Sequence, residues 1–428
     1  MNSRGKGRTL AALCAALVAV CALIAAGQRQ DGPVRVPVDL NATLTNKLSD
    51  TAVLRGLDKQ VRDYMQEWNL KGASLCILRH DSLLYAKGYG IADTDVPMSP
   101  RTLLRVASVS KLITATGIML LQECGMLSLD DRVFAEGGAL SEFSGVIRDP
   151  RLYDITIRQL LMHEAGFTAR AGDPMFSTRD LMKRYGWTAP PDKEKLARAI
   201  LQRPLEFDPG TASEYSNFGY LLLSMLIERV TGEPYEEWMQ ENVLKAAHCD
   251  DMHLAFNYYK DRYPGETRYY MQPNDKPVSR YDNAGVSVPR CYGGNDIRAL
   301  QGAGAWVTSV PELARFVASI DGQDEVPDIL SHESVEAMTF PTDSVTYGLG
   351  WNDISEEGVW TRTGTFSGTS ALIKNYPDGE CWIMVTNTGT WRGPRFTKCT
   401  AELFASLRER YSAVLPARDF FYRTEEPE

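Results

Sequence analysis

Ala73-Ser74-Leu75-Cys76-Ile77-Leu78-Arg79 and Leu83-Leu84-Tyr85-Ala86-Lys87-Gly88-Tyr89 are two short apolar runs parted by the polar break His80-Asp81-Ser82. Runs of this length around a turn-like break predict a β-hairpin. Just upstream, Leu54, Leu57, Val61, Tyr64 and Met65 recur at helical spacing and predict a helix over 54–68. Downstream, residues 108–124 read as a strongly apolar helix stopped by Gly125, a residue that takes the left-handed conformation at a helix end without penalty. From 130 to 320 the signals are helical or irregular. Strand-like runs then return at Tyr347 to Trp351, Val359 to Thr361, Thr369 to Lys374 and Cys381 to Thr386, with Pro377-Asp378-Gly379 as turn residues. A last helix is predicted over 397–411. Sheet-forming segments therefore lie at both ends of the chain and helices between them. The economical solution is an α/β (α+β) fold: one antiparallel sheet from N- and C-terminal strands, flanked by the terminal helices, with a mostly helical region inserted.

The 428 residues include 46 Lys and Arg against 55 Asp and Glu, a formal charge of −9, with 44% hydrophobic and 24% charged residues. This is the make-up of a globular protein, and it excludes collagen-like, coiled-coil and wholly disordered chains. Lys and Arg are scattered, so there is no electrostatic footprint for nucleic acid.

Residues 1–27 differ from the rest. Arg4, Lys6 and Arg8 precede the uncharged apolar run Leu10 to Ala26, which closes on Ala25-Ala26-Gly27. The pattern predicts an export signal, either cleaved or retained as a membrane anchor. Polar, Pro-containing residues 28–50 are expected to form a linker, 51–415 the folded domain, and 416–428 a tail frayed at Thr424 to Glu428. Export places the protein in the periplasm or outside the cell, where disulfides are permitted. Of the six cysteines beyond the signal, Cys381 and Cys399 are the preferred pair, because they sit on neighbouring elements near the C-terminus; buried free thiols are the alternative.

Ser108-Val109-Ser110-Lys111 opens the apolar helix. Serine and lysine three apart share a helical face, so the amine can reach the hydroxyl. A lysine in a dry cleft loses preference for its charged form and can take the serine proton. The helix start also supplies backbone N–H groups that could stabilise an oxyanion. Two further clusters match this chemistry. Pro209-Gly210 leads to Tyr215-Ser216-Asn217, where a phenol can relay protons and an amide can bind a carbonyl-bearing substrate. Arg362-Thr363-Gly364-Thr365 adjoins a strand-like run and offers a cation, hydroxyls and a glycine that admits a ligand close to the backbone. The five histidines show no paired-ligand spacing, so no metal is implied, and no cofactor is needed. The aromatic run Tyr258, Tyr259, Tyr263, Tyr269 and Tyr270 reads as a packed loop before it reads as a cleft lining.

In this order the three clusters resemble the serine β-lactamase-like (β-lactamase/transpeptidase-like) hydrolases, the branch with class C β-lactamases, D-Ala-D-Ala carboxypeptidases and esterases, whose motifs are Ser-x-x-Lys, Tyr-x-Asn and Lys or His-Thr-Gly. Gly88-Tyr89-Gly90, Leu127 to Asp131, Ile155 to Leu161, His163 to Phe167, Gly302 to Thr308 and Tyr347 to Trp351 extend the likeness over roughly residues 55–410. Segments 170–195 and 250–300 look individual and are expected to shape the substrate cleft. The resemblance implies Ser108 as acyl-accepting nucleophile, and Lys111 and Tyr215 sharing the proton transfers, with the base between them left open. It implies Asn217 on the substrate carbonyl side, and the N–H groups of Ser108 and Thr365 as the oxyanion hole. Arg362 departs from the pattern. A guanidinium cannot shuttle protons near neutral pH, so it is expected to bind a substrate carboxylate or to act through its field. His163 falls where the family has a structural helix-to-loop segment.

The expected function is an exported serine hydrolase acting on an amide or ester carbonyl: a cell-wall or other D-amino-acid peptide first, a small ester second, a β-lactam third. The rival expectation is a membrane-anchored binding or sensor domain for β-lactams or wall fragments that only acylates, or merely binds, without turnover. The implied partner is a small-molecule or peptide substrate.

Overall fold

In a computed structural model, which describes residues 34–170, 172–339 and 347–425, the N-terminal hairpin and the C-terminal strands join one sheet. Its main elements are α1 (Arg55–Glu67), β1 (Gly72–Arg79), β2 (Ser82–Asp93), α2 (Ser110–Glu123), α3 (Asn217–Thr231), α4 (Val310–Ala318), β3 (Trp360–Phe366), β4 (Thr369–Asn375), β5 (Glu380–Thr386) and α5 (Phe396–Tyr411). The spatial order is Asp353–Ile354, β3, β4, β5, β1, β2, Val96–Pro97, with every neighbouring pair antiparallel. The end-to-end joint is β5 against β1, from Glu380 opposite Arg79 to Thr386 opposite Ala73.

Side chains alternate across this sheet, and both faces are covered, which is why its strands read as near-continuous apolar runs. Leu75, Ile77, Leu372, Trp382 and Met384 pack with Leu57, Val61, Phe396, Leu403 and Phe404 of α1 and α5. Cys76, Leu78, Ile373, Cys381, Ile383 and Val385 face the other way, into the core that α2, α3 and α4 share. The preferred disulfide is thereby overturned. Cys381 and Cys399 lie on opposite sides of the sheet, and all six described cysteines are free thiols.

Two other expectations are corrected. Residues 34–50 do not form a free linker: Leu40 and Leu44 are buried, and Val34–Pro37 pairs with Tyr422–Glu425, so Thr424 and Glu425 are not frayed. Tyr347 to Trp351 is not a strand. Gly350, at φ +87°, packs so tightly on α2 that a Cβ would stand 2.7 Å from the Ala115 Cβ, and the Leu349 amide bonds to Met338 O instead of to a strand. The export segment 1–27 lies outside the described residues. Among the described residues no helix is long and apolar enough to cross a membrane.

Candidate active site

Ser108 does not begin the α-helix; it sits in a 3₁₀ turn, Ala107–Val109, that feeds into α2. Ala107 before it has φ +48°, a left-handed conformation that costs a non-glycine residue about 1–2 kcal/mol, so the surrounding packing holds this turn against its own preference. The turn is clamped from β3. Arg362, 1% exposed, donates Nε to the Ser108 carbonyl oxygen at 2.9 Å, and an Nη bonds to the same oxygen. A Cβ on Gly364 would stand 2.2 Å from Val106 O and 3.1 Å from Ser108 N, so only glycine lets the strand lie this close. The Thr363 amide donates to Asn352 Oδ1 at 2.6 Å, across the sheet edge. Strand alternation points the Thr365 N–H to that same edge, beyond the short partner strand, whose pairing ends at Thr361.

The second cluster is positioned by docking to 162–164. Gly210 N, at φ +81°, donates to Glu164 O and Glu214 N to His163 O, both at 2.9 Å, and Ser213 Oγ donates to Met162 O. Ser216 then caps α3, its side chain accepting from Gly219 N, which leaves Tyr215 just outside the helix and Asn217 as its first residue.

These elements bring the sequence-predicted groups together. Tyr215 Oη donates to Ser108 Oγ at 2.5 Å. Lys111 Nζ is fully buried and donates to Asn217 Oδ1 at 2.6 Å and to Ala303 O at 2.5 Å; it stands 4.6 Å from the Tyr215 ring centre. Burial, and secondarily the Arg362 charge, push the Lys111 ammonium well below the ordinary lysine range, while Asp173 draws it back. Burial raises the Tyr215 phenol; Arg362 and the bond to Ser108 oppose the rise.

Arg362 is corrected in part. Two of its donors are spent on the Ser108 main chain and Nη1 is buried without a partner, so it is not a free fork for a substrate carboxylate; its field on Lys111 and Tyr215 remains. The aromatic run is structural at Tyr269, buried at 2% exposure, with its hydroxyl accepting from Arg105 N and donating to Glu266.

Of two further residues at the site, the sequence reads His163 only as part of a structural helix-to-loop segment and does not single out Asp173. His163, buried and at φ +61°, accepts the Ser216 amide on Nδ1 at 3.1 Å and lies 4.7 Å, ring to ring, from Tyr215. Asp173 accepts Asn217 Nδ2 at 2.6 Å. Asp173 carries no motif, because its partner Asn217 lies 44 residues away.

The family model described as Beta-lactamase matches residues 57–403, a span that holds all three clusters. The chain belongs to this hydrolase family. It is 28% identical over 332 residues to a putative penicillin-binding protein, PbpX, of Bacillus subtilis, covering 77% of this chain and 73% of that one. It is 24% identical over 336 residues to Protein flp of Staphylococcus aureus, covering 77% of this chain and 62% of that protein's length. The solved D-amino acid amidase of Ochrobactrum anthropi superposes with a TM-score of 0.64 at 20% identity, over 85% of this chain and 99% of the amidase. That likeness is one of fold, the antiparallel sheet with its helical insertion.

Proposed function

We propose that this protein is an exported serine hydrolase that opens an amide or ester carbonyl through an acyl-enzyme on Ser108. The observation that carries the reading is the direct bond of Tyr215 Oη to Ser108 Oγ, with the depressed lysine amine of Lys111 beside it. A hydroxyl needs a proton acceptor to attack. Tyr215 is in contact with Ser108, and Lys111, whose burial disfavours the charged form, brings a second proton carrier. In that neutral form both N–H bonds go to Asn217 and Ala303, and the lone pair is left to take a proton.

In the first half-reaction Ser108 Oγ bonds to the carbonyl carbon, and its proton passes into the Tyr215–Lys111 pair. The carbonyl oxygen becomes an oxyanion facing the N–H groups of Ser108 and Thr365. The bond to the leaving nitrogen or oxygen then breaks, and the leaving group takes the proton. Water repeats the sequence in reverse: its oxygen bonds to the acyl carbon, one proton goes to the pair and returns to Ser108 Oγ, and a carboxylic acid departs. Arg362 holds the Ser108 main chain while its charge favours the anionic phenol.

The substrate class ranks as a D-amino-acid or cell-wall peptide first, an ester second and a β-lactam third. The relative named a penicillin-binding protein and the fold-mate named a D-amino acid amidase support that order. A fluorescent penicillin or fluorophosphonate is expected to label the wild type and not Ser108→Ala. Equal labelling of the variant overturns the proposal.

A further inference from the structure

Trp360 and Asn375 stand opposite one another on β3 and β4, at the end of the sheet away from Thr365. Asn375 is also paired with Cys381, which with Ile373 belongs to the α4 side of the sheet, so alternation turns the Asn375 side chain to that side. There it lines a cavity of about 360 Å³ together with Trp360, Asp321, Gln323 and His80. Asn375 is 6% exposed, yet among the described residues nothing bonds to its side-chain amide. Buried amides are normally bonded, and one turned unpartnered into a cavity is placed for a ligand.

Another wall of the cavity is acidic. Asp321, just past α4, accepts Gln323 N on Oδ1 at 3.1 Å and Gln323 Nε2 on Oδ2 at 2.8 Å. Asp81, in the turn of the β1–β2 hairpin and 1% exposed, bonds to it as well. Burial, then the Asp321 charge, push the Asp81 carboxyl up, so Asp81 keeps its proton and donates it to Asp321. Asp328 adds a third carboxyl, raised to about 7 by burial and by Asp321. Among the described residues no Lys, Arg or His side chain forms an ion pair with any of the three, and Arg35, which reaches this loop, is taken by Glu325 and Asp419. A carboxylate offers about four acceptor positions, and Gln323 and Asp81 leave one of those on Asp321 open.

We propose that this cavity is a binding site for a primary organic ammonium ion, separate from Ser108, in which the ammonium bonds to Asp321 and Asn375 Oδ1 and the apolar body of the ligand rests on Trp360. Three features select that chemistry. The uncompensated charge of Asp321 calls for a cation, and an indole ring attracts one. Both oxygens of Asp321 already accept from Gln323, so a planar guanidinium finds no free pair of acceptors, whereas a compact ammonium needs only one. Among the described residues no group of His, Cys, Asp and Glu is placed to hold a metal ion, so the cation is an organic one. The site does not depend on the acyl-enzyme reading: Trp360 begins β3 and Thr365 lies near its other end, roughly 16 Å of strand away.

Calorimetry on the full chain tests this with benzylammonium chloride and, as its neutral analogue, benzyl alcohol. The wild type is expected to bind the ammonium at least about tenfold more tightly than the alcohol. Asp321→Asn is expected to weaken ammonium binding about tenfold or more, as for a charge-paired hydrogen bond lost, and Asn375→Leu to weaken it about fivefold. Asn375→Leu replaces an unbonded amide with an apolar side chain of similar size, so it decides the matter where circular dichroism shows Asp321→Asn unfolded. Equal binding of ammonium and alcohol makes the cavity a site for neutral ligands and overturns the proposal. Ammonium binding left unchanged by either substitution in a folded variant places the ligand elsewhere and overturns it too. So does the absence of any binding by the wild type up to about 10 mM benzylammonium.

Discussion

Tyr215 Oη and Ser108 Oγ, 107 residues apart in the chain, meet at 2.5 Å. Proton transfer through this contact is worth roughly 10²- to 10⁴-fold in rate. Tyr215→Phe keeps the ring against His163 and removes only the oxygen. Its acylation rate with a fluorophosphonate or an ester substrate is expected to fall by about that factor with the melting temperature little changed. A loss below tenfold would leave Lys111 as the sole proton carrier.

Arg362 holds Ser108, the proposed nucleophile, through its carbonyl oxygen. Arg362→Lys retains a charge but cannot reproduce the planar fork, so kcat is expected to drop by about 10- to 100-fold with KM nearly constant. A substrate-carboxylate binder would show the opposite split, KM rising with kcat preserved. Steady-state kinetics on one carboxylate-bearing and one carboxylate-free substrate decide between them.

His163 is held neutral: burial, then the charges of Lys111 and Arg362, depress its pKa well below 6.5, and its Nδ1 already accepts the Ser216 amide. A base with a depressed folded pKa contributes its full stability above the unfolded value, and that contribution is lost as pH falls from about 6.5 toward the folded pKa. The unfolded chain binds the extra proton there, which costs the fold up to about 1.4 kcal/mol per pH unit. Urea unfolding of the wild type and His163→Gln at pH 7.5, 6.5 and 5.5 is expected to show the wild type losing stability faster on acidification. A difference between the two that stays constant with pH refutes this.

Gly364→Ala places a methyl group against Val106 O, a backbone atom that cannot rotate away. Either β3 or the Ser108 turn must shift, which would displace the Ser108 and Thr365 amides from the proposed oxyanion hole. Labelling of Ser108 is expected to slow at least 100-fold, in the range of an oxyanion-hole donor, with folding retained by circular dichroism. Labelling at the wild-type rate would show that the close approach is unnecessary.

The regular elements were legible because each has a local signature. The hairpin over 73–89, the helix over 54–68 and the helix over 397–411 appear as Gly72–Arg79 with Ser82–Asp93, Arg55–Glu67 and Phe396–Tyr411. Tyr347 to Trp351 misled because its alternation serves a tight turn on α2, not a strand. Cys381 and Cys399 misled because closeness along adjacent elements says nothing about which face of the sheet a side chain takes; one residue of register decides that.

The amino-acid order alone determined which chemical groups are available and on which local elements they ride: a serine and lysine one turn apart, a phenol ahead of a helix cap, and a glycine in a strand. Periodicity and short-range bonding are local, so they survive in one dimension. Only the tertiary structure decided what those groups do to one another. Desolvation of Lys111, the turn of Arg362 onto the Ser108 main chain, and the coupling of Asp173 to Asn217 all depend on burial and on contacts between distant segments. Such contacts have no period and no motif, because they are fixed by how layers pack.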